Sequence, residues 1–303
     1  TAAARRVLSE KSASTRPGVP PVIRTLRLPE VGLMLGFPGA AALLGLLSMD
    51  VSSFGRAAGS VGALAPVAVS VYALNAWGGA EADARDPKFA RGAILEARTL
   101  LAVAAAGIVL GLVAAWLVAP WFAAGVAALW LVWAAYSAPH GLKGVPGAGT
   151  ALHLPAGVLM FLLPYAVVRP VDERGLWLAA LFSLAFAAGH ANHEVMDRCA
   201  DTAGGVRTLA AVAGARAVHR LGLVLATFAY LAAGLGWWRG VIAPVEAAPF
   251  LVAAPFHLAI GAAADADPEG ASAYRYRARY RILFAAATVV ATAGHLADLV
   301  LPG

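Results

Sequence analysis

Long apolar segments, separated by short polar stretches, run through almost the whole chain. A helix that crosses the hydrocarbon core of a bilayer needs about 20 mostly apolar residues. Several breaks between the segments contain proline, which ends a helix because it has no backbone N–H to donate. The pattern predicts an all-α, polytopic membrane protein, a bundle of about nine transmembrane helices. The predicted spans are 31–49, 59–80, 97–118, 121–137, 151–168, 176–194, 218–238, 241–263 and 282–301.

The composition agrees with a chain that is surrounded by lipid. Of its 303 residues, 60% are hydrophobic and only 13% are charged, whereas soluble domains carry about 25% charged residues. The net charge of +6 does not indicate nucleic acid as a partner, because the basic residues are scattered between apolar segments. The single cysteine, Cys199, excludes an intramolecular disulfide framework and a metal site with several cysteines.

The positions of lysine and arginine predict the topology. Cytoplasmic loops of membrane proteins are enriched in these residues, and a cytoplasmic N-terminus places 19 of the 23 on the cytoplasmic side. The long connections 81–96, 195–217 and 264–281 then face the cytoplasm, where we expect the chemistry. Residues 1–23 lack the apolar core of a signal peptide and are interpreted as a mobile basic tail. Residues 24–303 form one predicted domain, in a bacterial or archaeal inner or plasma membrane.

The start of the last predicted helix carries an alternation of aromatic and basic residues. Such residues are typical of a segment that lies at anionic lipid headgroups. We therefore interpret this stretch as an interfacial anchor. Its members are Tyr274, Arg275, Tyr276, Arg277, Arg279, Tyr280 and Arg281.

A first cluster of acidic residues follows the second predicted helix, in LNAWGGAEADARDPKFARG (74–92). Acidic residues in or beside membrane spans are energetically costly and usually functional. If the helix continues, Asn75, Asp83 and Asp86 lie within about 80° of one another around its axis. The alternative is an ordinary solvated helix end.

A second cluster lies at the end of the sixth predicted helix, in GHANHEVMDRCADTAGGVRTLA (189–210). Around a helix, Glu194, Asp197 and Asp201 all lie within about 40° of His190. Like charges at this spacing repel one another, so we expect a cation to neutralise the stripe. Mg²⁺ takes oxygen ligands and commonly joins one or two carboxylates to substrate phosphates.

The two clusters together predict a diphosphate site. Two carboxylate sets with Mg²⁺ between them would hold a diphosphate, and nearby basic side chains would bind its oxygens. The basic candidates are Lys143, Arg207 and Arg91. For Lys143 the alternative role is that of a cytoplasmic lysine that only marks the topology.

The first cluster resembles a motif of the UbiA superfamily of intramembrane prenyltransferases. Members of this family carry NDxxDxxxD at the second of nine helices. The corresponding segment here is NAWGGAEAD, in which Asn75 and Asp83 match the motif. Ala76 and Gly79 stand at two positions that are usually acidic, so metal affinity or substrate choice differs from that of typical members in this interpretation.

The second cluster resembles the family's other motif, DxxxDxxxD. The corresponding segment is HEVMDRCAD, in which Asp197 and Asp201 match and His193 occupies the first position. GVRTL (205–209) is similar to the Gly-x-x-Thr-Leu segment that follows this motif. YSAPHGLKG (136–144) is similar to the family's Tyr-Ser-x-Pro…Leu-Lys element. The resemblance covers most of the chain.

The resemblance implies Mg²⁺-dependent transfer of an isoprenoid group from an isoprenyl diphosphate to an acceptor that the sequence does not identify. The implied catalytic residues are Asp83, Asp197 and Lys143. The implied diphosphate-binding residues are Asn75, Lys143, Arg207 and Arg91. The implied metal ligands are Asn75, Asp83, Asp86, Glu194, Asp197 and Asp201.

Two other functions remain open at this point. A terpene cyclase on the same scaffold would capture the carbocation within the same isoprenoid, and the altered first motif is compatible with it. An ion-coupled transporter would predict inverted repeats and charged residues near the bilayer midplane. The sequence shows no internal repeat, and its acidic clusters lie at one membrane face, which favours an enzyme.

Overall fold

The computed structural model describes residues 26, 28–79, 95–138 and 141–301. Within these residues the regular structure is helical, and it comprises ten α-helices and a single 3₁₀ turn at Leu142–Gly144. The helices are α1 (Leu28–Gly45), α2 (Val51–Gly78), α3 (Ala97–Val118), α4 (Pro120–Ser137), α5 (Ala148–Val168), α6 (Glu173–Gly204), α7 (Leu209–Ala213), α8 (Ala215–Trp238), α9 (Pro244–Ala264) and α10 (Gly270–Val300).

Eight of the described helices are long and apolar enough to cross a membrane, namely α2 to α6 and α8 to α10. The prediction of an all-α polytopic bundle is therefore confirmed. The first predicted span, 31–49, corresponds to α1, which is a shorter apolar helix. The cytoplasmic N-terminus and the single domain over 24–303 stay predictions, and the proposed tail 1–23 lies outside the described residues.

Three helices, α2, α6 and α10, extend well beyond their predicted spans. The helix α6 has 32 residues and α10 has 31 residues, whereas about 20 residues suffice to cross the hydrocarbon core. The apolar pattern marks only the lipid-embedded part of each helix, and polar residues continue the helix past it. The end of α6 is set locally, because Gly205 adopts a left-handed conformation (φ 74°) that glycine accepts without steric cost.

An aspartate side chain caps the N-terminus of α2 and another caps that of α6. The Asp50 carboxylate accepts a hydrogen bond from the backbone N–H of Ser53, and Asp172 accepts one from Gly175. These bonds satisfy donors that lack partners inside the first turn of a helix. Hydrogen bonds from neighbouring serines, chiefly Ser48, hold the pKa of the Asp50 carboxyl well below its usual range.

The central helix of the bundle is α5, which packs against α1, α2, α4 and α6. Small residues allow close approach of the backbones: a Cβ at Gly157 of α5 would lie 2.8 Å from the Cα of Ser183 in α6. Likewise, a Cβ at Gly107 of α3 would lie 2.6 Å from the carbonyl oxygen of Pro66 in α2. Helices in lipid associate through such packing, since lipid tails are as apolar as the side chains.

A buried network of charged and polar groups fastens one end of the bundle. Arg174 of α6 donates to Glu246 of α9 (Nε to Oε2, 3.0 Å), to Tyr165 Oη of α5 (3.1 Å) and to the carbonyl oxygen of Leu44 in α1 (2.9 Å). His295 Nδ1 of α10 lies 2.9 Å from Glu246 Oε1. We call these five residues the far-end network. They link five helices at one end of the bundle. The opposite end carries the acidic motif of α6, and we call it the acidic end.

Candidate active site

One continuous helix carries the second acidic cluster. Because α6 extends to Gly204, His190, Glu194, Asp197 and Asp201 form the stripe that their spacing predicts. The stripe emerges gradually from the protein. His190 and Glu194 are buried, at 8% and 6% exposure, whereas the Asp197 side chain is 36% exposed.

The buried member of the stripe, Glu194, is held by protein groups on both of its oxygens. Oε1 lies 3.0 Å from Nε2 of His190, and Oε2 accepts a hydrogen bond from the backbone N–H of Ala210 (3.2 Å). Ala210 belongs to α7, so this carboxylate ties the short helix to α6. A Cβ at Gly149 would lie 2.7 Å from His190 Nε2, which shows how closely the start of α5 approaches the pair. The prediction that Glu194 binds metal stays a prediction.

Lys143 lies at the same end of the bundle as Asp201. Lys143, in the 3₁₀ turn between α4 and α5, is near enough for its charge to act on Asp201. The Thr208 hydroxyl donates to Asp201 Oδ2 (3.2 Å) and also caps α7 by accepting from the N–H of Ala211. Arg207, beside Thr208, is exposed. The segment after the motif therefore folds back onto the acids.

The end of α4 contacts both α2 and α6. At the end of α2, a Cβ on Gly78 would overlap the carbonyl oxygen of Ser137. The neighbouring residue, Tyr136, packs its ring edge-on against His190 of α6, with 5.8 Å between the ring centroids. Asn75 lies one turn before Gly78 and is half-buried. The two helices that carry the acidic motifs thus converge on residues 136–137.

The remaining candidates of the first cluster, Asp83, Asp86 and Arg91, lie outside the described residues. Within the described part of the chain, no group of three or more His, Cys, Asp or Glu side chains is arranged to hold a metal ion. Asp197 and Asp201 nevertheless supply the kind of donor that Mg²⁺ accepts, since this ion usually binds one or two carboxylates together with substrate phosphates. The α6 side of the site therefore fits the predicted metal.

Beneath the acids lies a layer of histidine and aromatic rings. His153 of α5 stacks on His190 of α6, with centroids 3.7 Å apart and an interplanar angle of 18°. Tyr136 and Trp133 of α4 pack edge-on against His153, and Phe186 packs against it from α6. Trp133 also lines a small apolar cleft between α1, α2, α4 and α5. An apolar cleft therefore adjoins the acidic stripe through this layer of rings.

Sequence reasoning missed the position of Arg277, which was interpreted as part of an interfacial anchor. In the structure, Arg277 of α10 reaches α6, and its Nη2 lies 2.8 Å from Nε2 of His193. A helical pattern could have revealed this orientation. Ala273 and Tyr276 are buried and Tyr280 is half-buried, and at a period of 3.6 residues they share one face with Arg277.

Solved structures and curated sequences resemble the chain. A UbiA homologue from Archaeoglobus fulgidus, bound to DMAPP and Mg²⁺, superposes with a TM-score of 0.67 at 17% identity, covering 93% of this chain and 100% of that one. A structure from work on digeranylgeranylglyceryl phosphate synthase has a TM-score of 0.69 at 12% identity, covering 93% and 98%. At these identities the likeness establishes the fold.

Sequence comparison identifies the family to which the chain belongs. Digeranylgeranylglyceryl phosphate synthase of Halobacterium salinarum is 36% identical over 156 residues, which are 49% of this chain and 53% of the relative. The chain thus matches about half the length of these curated relatives. The model of the UbiA prenyltransferase family matches residues 35–294, well over half of the chain. The protein therefore belongs to the UbiA prenyltransferase family.

Proposed function

We propose that this integral membrane protein is an Mg²⁺-dependent prenyltransferase, which moves an isoprenoid group from an isoprenyl diphosphate to an acceptor and releases diphosphate. The observation that carries the proposal is the face of α6 on which Asp197 and Asp201 lie together, with Lys143 near enough for its charge to act on Asp201. Carboxylates and a cation at one partly exposed position are suited to bind a metal–diphosphate complex.

In this proposal, Asp197 and Asp201 bind Mg²⁺ from the α6 side. Asn75, Asp83 and Asp86 bind it from the side of α2. When bound, Mg²⁺ would offset the negative charge that develops on the departing diphosphate. Lys143, Arg207 and Arg91 bind the diphosphate oxygens directly. The catalytic roles of Asp83, Asp197 and Lys143 follow from the same assignment.

Glu194 is assigned a different role from the other acids. Both of its oxygens already have protein partners, His190 and the Ala210 N–H, and its side chain is buried. We therefore assign Glu194 to holding α7 and the Thr208 turn against Asp201. It acts as a positioning residue in this proposal and does not touch the metal.

The apolar cleft and the ring layer have a role in handling the isoprenoid. Ionisation of an allylic diphosphate yields a carbocation that water would trap. Trp133, Phe186 and the cleft between α1, α2, α4 and α5 supply an apolar environment, and such an environment protects a carbocation from water. The faces of aromatic rings also attract cations. In this proposal the isoprenoid chain extends from the acidic stripe along the apolar side chains that line the cleft, which would have to widen to admit it.

The acceptor in this proposal is a glyceryl phosphate lipid. Support comes from the name of the Halobacterium salinarum relative, a digeranylgeranylglyceryl phosphate synthase, although that match spans only half of each chain. The site faces the cytoplasm in the proposed topology, because the connections at the acidic end carry most of the lysines and arginines. The membrane is an inner or plasma membrane.

The test is turnover by purified protein in lipid nanodiscs with geranyl diphosphate, Mg²⁺ and a prenylated glyceryl phosphate. We expect release of diphosphate and formation of a prenylated acceptor. Asp197→Ala and Asp201→Ala should each abolish the reaction, whereas Asp267→Ala, which removes an exposed acid in the α9–α10 connection, should not. Near-normal turnover in both Asp197→Ala and Asp201→Ala would contradict the proposal.

The same assay separates the alternative functions. A terpene cyclase would form a hydrocarbon product and diphosphate without any acceptor. A transporter would release no diphosphate from geranyl diphosphate at all. Either result, obtained with the parent protein, would replace the prenyltransferase assignment.

A further inference from the structure

Arg277 is an arginine whose contacts do not account for its charge. Its side chain is half-buried between α10 and α6. Nη2 lies 2.8 Å from His193 Nε2, and Nη1 lies 3.8 Å from the sulfur of Met196, which is a weak acceptor. Among the residues that the structure describes, Nε of Arg277 is buried and has no hydrogen-bond partner. Toward the described part of the chain, most donors of this guanidinium are therefore uncommitted.

His193 is a neutral partner for that guanidinium. Arginine has only donors, so Nε2 of His193 must accept, and the ring carries its proton on Nδ1. That nitrogen faces Asp197, with 3.6 Å between Nδ1 and Oδ2. The imidazole therefore orients Arg277 without cancelling its positive charge.

Buried or half-buried charges are normally paired, because removing a charge from water is costly. No ion pair to Arg277 occurs within the described ranges, although the negative charges of Asp197 and Glu30 act on it from a distance. The contrast with Arg174 is direct, since that arginine forms an ion pair with Glu246. A cation that is held in place but not neutralised is suited to bind an anion.

The identity of the residue at position 193 explains why the guanidinium of Arg277 is available to bind a ligand. In the motif that this segment resembles, the first position is acidic, and here it is His193. An acid at this position would form an ion pair with Arg277 and use its donors. Histidine keeps the arginine oriented and leaves the corner of the site more positive by one charge.

We infer that Arg277, oriented by His193, binds a phosphate oxygen of a substrate directly, on the α10 side of Asp197. This inference rests on the proposed function, because it extends the same site. The phosphate has two possible sources, the isoprenyl diphosphate and the phosphate of the acceptor. Arg277 is a binding residue in this assignment, and His193 is a positioning residue.

The first experiment measures binding without turnover, in purified protein in nanodiscs with Mg²⁺. The probes are inorganic pyrophosphate and glycerol phosphate, titrated calorimetrically. Arg277→Met should weaken binding of one probe by about tenfold or more, because charge-assisted hydrogen bonds to phosphate are lost. Arg277→Lys should retain part of the affinity. Loss of pyrophosphate affinity identifies the diphosphate as the source, and loss of glycerol phosphate affinity identifies the acceptor.

Two further variants separate binding from folding. Arg279→Met removes an exposed arginine of the same helix and should leave both affinities within twofold of the parent. His193→Asp should form an ion pair with Arg277 and weaken the same probe as Arg277→Met does, while the melting temperature stays close to that of the parent.

The inference is overturned if Arg277→Met and Arg277→Lys both bind both probes within twofold of the parent protein. It is also overturned if Arg277→Met lowers the melting temperature and Arg277→Lys restores it without any change in affinity, since Arg277 would then be structural. Failure of the proposed function gives a different result, because the parent protein would then release no diphosphate from geranyl diphosphate, whatever the binding data show.

Discussion

The two ends of the bundle use charged side chains in opposite ways. In the far-end network, Glu246 is 1% exposed and is bound by Arg174 and His295, so each charge has its partner inside the protein. At the acidic end, Asp197 is partly exposed, Lys143 acts on Asp201 through space, and Arg277 forms no ion pair within the described part of the chain. Complete pairing stabilises the fold, whereas the incomplete pairing of Arg277 among the described residues leaves donors that suit a ligand.

The largest expected effect comes from breaking the far-end network. Arg174→Met leaves Glu246 buried without its cation, and we expect the free energy of unfolding to fall by about 3–5 kcal/mol. Denaturant titration of the protein in mixed micelles measures this change. The double variant Arg174→Met, Glu246→Leu should recover most of the loss, because it removes both charges.

A matched control is the exposed pair of Arg239 and Glu173, whose side chains are 55% and 53% exposed. Arg239→Met should change the free energy of unfolding by about 1 kcal/mol or less. If Arg174→Met were equally mild, the far-end network would not hold the helices together, and the contrast between the two ends would disappear.

The next effect appears in activity and not in stability. Lys143→Met removes the cation next to Asp201, and we expect kcat/KM for the isoprenyl diphosphate to fall by about 100-fold, because the charge on the leaving diphosphate loses one stabilising group. The free energy of unfolding should change by about 1 kcal/mol or less. Steady-state kinetics and denaturant titration of the same preparation test both statements.

Arg216→Met is the control for Lys143→Met. Arg216 is an exposed arginine at the same end, and it donates to backbone carbonyl oxygens of Asp265 and Ala266. Its replacement should leave kcat/KM within twofold of the parent value. An equal loss in both variants would mean that the overall positive charge of this end, and not Lys143 itself, assists the reaction.

The membrane fold could be predicted because lipid imposes a simple length requirement. The span 97–118 was predicted with the bounds that α3 has, since both of its ends coincide with the ends of the apolar segment. The C-terminal end of α6 and the N-terminal end of α10 could not be found in this way. They lie in polar sequence, where local features such as the left-handed Gly205 decide the helix end.

The candidate site was predictable only as far as one helix determines it. The stripe of Glu194, Asp197 and Asp201 follows from the helical period alone. The stack of His153 on His190 depends on how α5 packs against α6, which no spacing within one segment encodes. The same limit applies to Arg277, whose partner lies 84 positions earlier in the chain.

A substitution of Glu194 tests whether this buried acid is a structural group or a metal ligand. Glu194→Gln keeps the shape of the side chain and an acceptor for the N–H of Ala210, so we expect a loss of about 1 kcal/mol in the free energy of unfolding. The Mg²⁺ concentration for half-maximal activity should stay within twofold of the parent value. A tenfold increase would instead return Glu194 to the metal ligands that the sequence predicts.

The smallest effect is expected at an exposed ion pair of the acidic end, Arg220 with Asp265. The hydrogen bond from Arg220 lowers the pKa of the Asp265 carboxyl, so its stabilising contribution is present at neutral pH and is lost as the pH falls through that lowered pKa. Asp265→Asn should therefore reduce the melting temperature slightly at pH 7, and the difference from the parent should shrink below about pH 4. Turnover should not change. A large loss of activity in Asp265→Asn would show that charge at this end is coupled to the site even where it is paired and exposed.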